Sequence, residues 1–197
     1  MRFPTFYRLC ILVLLIGLIG LFGHAKPEKS IIINEISWSG TQASWADEWI
    51  ELKNTSNESV DLDGWTLSWE GVTIHLGEEK EDTLSLKTEI IGAGEVFLLE
   101  RSDDQSVSTV RADIVYKGSL SNSGEKVLLK NSRGNIINSV NGKNGWMAGT
   151  TSGEDPSCAS MELIDGKWKT STDKGEQKDV EGNMIYGSPG KLGEGIE

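Results

Sequence analysis

Short runs of alternating apolar and polar residues fill the chain from residue 31 onward, and Gly, Ser, Thr, Asn or Asp occupies nearly every break between them. Runs rich in β-branched and aromatic residues, punctuated in this way, spell antiparallel strands joined by tight turns. The pattern predicts strands over 31–38, 49–54, 60–62, 65–69, 72–76, 95–100 and 113–116. Two more flank Ser132-Arg133-Gly134, a hairpin loop with Gly where a positive φ is needed. Shorter strands are expected over 159–163 and 167–168. A period of two puts Ile32, Asn34, Ile36 and Trp38 on one face of the first strand. It turns Ile50 and Leu52 toward the core, with Trp49 and Glu51 on the other face. Val96 and Leu98 opposing Phe97 and Leu99 mark a strand covered on both sides. Gly77 to Lys87 reads as an acidic surface excursion, and Thr170 to Gly182, highly charged, as a mobile stretch. The chain after residue 25 contains no helical periodicity.

The wording of the strands resembles a known family. Ile31-Ile-Ile-Asn-Glu-Ile36, Asp47-Glu-Trp-Ile-Glu-Leu-Lys-Asn54 and Val60-Asp-Leu-Asp-Gly-Trp-Thr-Leu67 follow one another as the Asn-Glu, Glu-Trp-Ile-Glu-Leu and Leu-x-Gly-Trp-x-Leu strands of the lamin-tail domain do. The polar Gly turn, Val-x-Leu strand and Gly hairpin of residues 120–140 continue the likeness, and Ser188-Pro189-Gly190 resembles the close of bacterial lamin-tail proteins. The resemblance implies an all-β, immunoglobulin-like sandwich over 31–147, with 148–197 as a C-terminal extension packing on the same domain. It implies an interaction scaffold and does not name a ligand, because one fold serves many tasks. With no coiled-coil rod in the chain, the nuclear-lamina role is not carried over.

The first residues are of another kind. Arg2 and Arg8 precede an almost unbroken apolar run from Leu9 to Phe22, and Gly23-His24-Ala25 ends it with small residues at the outer positions. These are the three parts of a secretory signal cut after Ala25. The expected organisation is a signal helix over 1–25, a linker over 26–30 and the sandwich. An uncleaved N-terminal anchor is the competing reading and the chain's one expected route to a membrane, although the run is shorter than the roughly 20 residues of a spanning helix.

A formal net charge of −11 repels phosphate backbones and excludes nucleic acid as a natural partner. Of the two cysteines and two histidines, Cys10 and His24 lie in the signal, which leaves Cys158 and His75. One His and one Cys far apart do not make a transition-metal set, and no Gly-x-Ser-x-Gly elbow precedes a helix. No catalytic residue, cofactor site or metal site is therefore expected. Ser59-x-Asp61-x-Asp63-Gly64 with Glu70 partly fits a calcium loop, but strands flank it where helices belong. Glu48 and Glu51 are the carboxylates that the alternative, a small secreted hydrolase with or without calcium, would use.

All seven tryptophans follow the signal. Trp65, Leu67 and Trp69 share a core face. Trp38 and Trp45 differ, because they bracket Ser39-Gly-Thr-Gln-Ala-Ser44, a small polar loop at one end of the sandwich, where immunoglobulin-like domains carry binding sites. The sequence thus reads as an exported, non-enzymatic binding or structural module of the cell surface or extracytoplasmic space. Trp38 and Trp45 are its candidate contacts for a protein or glycan ligand.

Overall fold

A computed structural model describes residues 30–77, 90–172 and 174–190, so the signal region and most of the acidic excursion lie outside it. The described chain is all β. Its strands are β1 (Ile31–Ser37), β2 (Trp49–Asn54), β3 (Val60–Asp61), β4 (Trp65–Trp69), β5 (Val72–Leu76), β6 (Ile90–Ile91) and β7 (Val96–Arg101). There follow β8 (Ile114–Tyr116), β9 (Lys126–Lys130), β10 (Ile136–Asn141), β11 (Met161–Ile164), β12 (Lys167–Thr170), β13 (Lys174–Lys178) and β14 (Met184–Tyr186). A six-stranded sheet in the order β12-β11-β1-β2-β7-β8 faces a four-stranded sheet in the order β10-β9-β4-β5, and β3–β6 and β13–β14 form two-stranded pairs. Among the described strands only β7 and β8 pair in parallel.

The strand faces follow the alternation. Trp65, Leu67 and Trp69 of β4 bury themselves while Thr66 and Ser68 stay half-exposed. Ile50 and Leu52 of β2, with Phe97 and Leu99 of β7, meet the tryptophans, Ile74, Leu76, Val127 and Leu129 of the other sheet in one continuous core. Trp49 and Leu98 point the other way. They join Val107 and Ile185 in a smaller apolar cluster on the outer face of the six-stranded sheet. The expected two-sided burial of β7 thus comes from this second layer.

Two local expectations are corrected. The pairing of β1 with β2 passes from Ile33↔Leu52 to Glu35↔Glu51, leaving Asn34 as an extra residue. Such a bulge reverses the strand's parity. Ile31 and Ile33 before it, and Ile36 and Trp38 after it, all enter the core, whereas Glu35 turns outward. The second correction concerns the charged stretch after Thr170. Residues 174–178 form β13, with Gly175 and Gln177 inward and charged neighbours outward.

The C-terminal extension is part of the large sheet, because β11 pairs with β1 through Ile36↔Met161. At the other end of β2, Asn54 is fully buried and its amide serves the carbonyls of Glu58, Ile91 and Gly92.

Candidate functional site

The loop between β1 and β2 folds tightly on itself. Gly40 holds a φ of 82°, and a Cβ there would collide with the Ser44 carbonyl and the Trp45 backbone. Only glycine lets the chain double back so closely. Thr41 is the brace. Its N–H donates to Ser44 O at 2.9 Å and its hydroxyl donates to Asp47 Oδ2 at 2.7 Å. The same hydroxyl accepts the amides of Ala43 and Ser44, both at 3.2 Å. Asp179, beyond β13, reaches across and accepts the Ala43 amide at 3.1 Å. Asp179 also accepts the amides of Glu181 and Asn183, so one carboxylate ties the loop to the β13–β14 turn.

This frame holds the two candidate tryptophans very differently. Trp45 is 73% exposed, and the Arg101 guanidinium lies 5.0 Å from its ring centroid. Trp38 is 7% exposed, stacks on Trp146 at 6.2 Å between centroids, and donates its indole N–H to Ala148 O at 2.9 Å. The loop therefore presents one indole to solvent, not two, and Trp38 fastens the 141–150 loop to the sandwich.

Arg101 is held from below. Its Nη1 donates to Glu48 Oε1 at 2.9 Å, and Glu48 Oε2 accepts the Leu120 amide at 2.8 Å. Burial pushes the Glu48 carboxyl up to about 7, against the opposing pull of the Leu120 amide and Arg101. Burial likewise raises Asp47, with repulsion from Asp103 and Asp179 adding to it. The guanidinium beside Trp45 is thus also committed to Glu48, and the acids of the same loop region, Asp47, Asp103 and Asp179, repel one another.

Glu48 and Glu51, the pair a hydrolase would use, do not share a cleft. Glu48 is occupied as described, and the oxygens of buried Glu51 accept Asn34 Nδ2 and the Gly190 amide, both at 2.8 Å. His75 stands mid-strand in β5 opposite Thr66. Cys158 is buried, and burial pushes its thiol up, away from the thiolate form. Among the described residues no group of three or more His, Cys, Asp and Glu is placed to hold a metal ion. The acidic half-loop becomes β3, a Gly64 turn and β4, with Asp61 Oδ1 accepting the Asp63 amide at 2.9 Å. A cleft of about 490 Å³ lies elsewhere, lined by Glu70, Glu125, Lys126 and Lys143 together with Trp69 and Leu128. The sequence hid it, because the turns after β4 and before β9 are far apart in the chain.

Comparison with known proteins sets this geometry in context. The Lamin Tail Domain family matches residues 24–143, more than half of the chain. That span runs from before β1 through β10. It includes Trp38, Trp45 and Arg101, and it leaves out the extension that carries β11 to β14. No curated protein matched the sequence.

Proposed function

The chain belongs to the lamin-tail domain family, a family of non-enzymatic immunoglobulin-like domains, and from that premise we propose that it is an exported binding module that presents Trp45 to a protein or glycan at the cell surface or in the extracytoplasmic space. One observation carries this reading. Trp45 is a large apolar side chain left exposed on a loop whose backbone is braced and whose ring already has a guanidinium beneath it. A side chain ordered before it meets a ligand loses little freedom on binding, and tryptophan is prominent among residues that dominate interfaces. The apolar run between Arg8 and Gly23 supports export.

The test uses the exported product. Its intact mass should correspond to a chain beginning at Lys26, and a membrane-embedded product that keeps its first residues would replace secretion with anchoring. The same product is then used as bait against a glycan array and against cell-surface proteins. Trp45→Ala should weaken the captured interaction by roughly 2 kcal/mol, about 30-fold in Kd, and leave the melting temperature nearly unchanged. Equal capture by the variant, or unfolding of the variant, removes Trp45 as the contact.

A further inference from the structure

Glu35 of β1 and Glu51 of β2 are direct cross-strand partners on the outer face of the six-stranded sheet, and both are fully buried. A segment from the C-terminal extension covers them. Beyond β14, Gly187 to Gly190 crosses the sheet as a strap whose amides meet carboxylates instead of a strand. The Ser188 N–H lies 3.1 Å and 3.3 Å from the two oxygens of Glu35. The Ser188 hydroxyl lies 3.3 Å from Glu35 Oε2 and 2.9 Å from Glu162 Oε1. Ser160 Oγ donates to Glu35 Oε1 at 2.6 Å, and the Gly190 N–H donates to Glu51 Oε2 at 2.8 Å. A Cβ at residue 187 would strike Glu35 Oε1 and Ser160 Oγ and press on the Trp49 ring, so the close approach depends on glycine there.

Two buried acids, Glu35 and Glu51, therefore sit beside a third, half-buried one, Glu162, with little countercharge. Glu162 of β11 faces Glu35 in register and stands opposite Lys169 of β12. Lys53, further along β2, acts on Glu51. The neighbouring strands β13 and β14 bring Lys174 and Tyr186, which are engaged with each other at 5.3 Å, and the strap itself carries no charged side chain. Burial above all, then Glu51 and Glu162, hold the Glu35 carboxyl well above the usual carboxylate range, against the opposing pull of the Ser160 hydroxyl and of the strap's own Ser188 amide. Burial raises Glu51 to about 7, against the Gly190 amide, Asn34 and Lys53.

We propose that the Gly187–Gly190 strap is a proton-operated latch: protonated Glu35 and Glu51 keep it closed over β1 and β2, and loss of those protons lifts it, uncovering the carboxylates and the Trp49 indole while the sandwich stays folded. The sign follows from linkage. A carboxyl whose affinity for protons is higher in the closed form stabilises that form fully below its ordinary value of 4.5 and withdraws the stabilisation as pH rises through the closed-form value, about 7 for Glu51. The strap is thus closed at pH 5 and opens progressively above pH 7. The opening stays local because the β1–β2–β7 ladder and the core behind it do not involve these side chains.

Amide hydrogen exchange on the full chain, read by peptide mass and corrected for intrinsic rates, tests the latch. Between pH 5.5 and 8.5, protection of a peptide spanning 184–190 should fall about tenfold or more while a peptide spanning 49–54 keeps its protection. Glu35→Gln and Glu51→Gln, neutral at every pH, should each remove most of that fall. Should Glu35→Gln not fold, Glu51→Gln, whose side chain holds fewer partners, decides alone. Equal strap protection at both pH values, parallel loss in both peptides, or an undiminished fall in the folded variants would overturn the proposal.

Discussion

Replacing Asn54 by alanine should cost about 3 kcal/mol, a figure that follows from its partners. The side-chain amide donates to Glu58 O at 2.7 Å, Ile91 O at 3.1 Å and Gly92 O at 3.0 Å. Its carbonyl accepts the N–H and hydroxyl of Ser56 at 2.9 and 2.7 Å. Two amide hydrogens serve three carbonyls, so one hydrogen is shared. After truncation, Ser56 and the Glu58 carbonyl recover water, losing about 1 kcal/mol between them, whereas the carbonyl of buried Ile91 loses a donor at a place closed to water, at roughly 1–3 kcal/mol. The total is a large share of the ~5–15 kcal/mol that holds a domain together. Urea unfolding checks it: the midpoint should fall with the slope unchanged. Asn57→Ala, on an exposed residue of the adjoining turn, is the control and should stay within about 0.5 kcal/mol of wild type. Asn54→Asp keeps the Ser56 bonds but sets an oxygen against three carbonyls, so it should be no milder than alanine. An Asn54→Ala midpoint equal to that of wild type would refute the account.

Leu52, fully buried between the sheets, should cost about 2–5 kcal/mol as Leu52→Ala, while Lys53→Ala changes little; the reverse result in thermal melts would mean the β2 register is wrong. Burial lifts Glu100 to about 8, opposed by the Val107 and Ser106 amides and reinforced by Asp104 and Asp103. Its folded value lies above its ordinary 4.5, so it stabilises the domain below that pH and withdraws a few kcal/mol as pH rises through 8. Urea midpoints should therefore fall between pH 5 and 9, with a shallower fall in Glu100→Gln; a flat or rising profile would sink this.

The strands of the sandwich were legible because each carries its own signal. The alternation of Trp65, Leu67 and Trp69, and the parity that sets Leu52 opposite Glu51, survive intact in the structure. Reading failed where one residue changes the parity or where a distant segment supplies the cover. Asn34 interrupts the alternation of β1 without any Gly or Pro to announce it. Glu51 lies on the outer face as its position requires, yet no local pattern says that Gly190, 139 residues later, will close over it. β13 has no apolar side chain to alternate, so composition pointed away from a strand. Of the candidate site, the loop and its tryptophans were legible from side-chain chemistry. Their opposite exposures were not, since Trp38 owes its burial to Trp146 and to a carbonyl from beyond β10.

The central position of β1 has a consequence for how the chain folds. One edge of β1 finds β2 within a few dozen residues, but the other edge pairs with β11, and Ser188 reaches Glu35 across 153 residues. Contacts so distant in sequence must overcome loop-closure entropy before they stabilise anything, which slows folding. A chain emerging N-terminus first therefore carries an unpaired β1 edge until β11 has been delivered, more than a hundred residues later. That interval is when strand edges recruit other chains, so a truncation removing residues 159–190 should aggregate through β1 even though the segment matched to the family is complete.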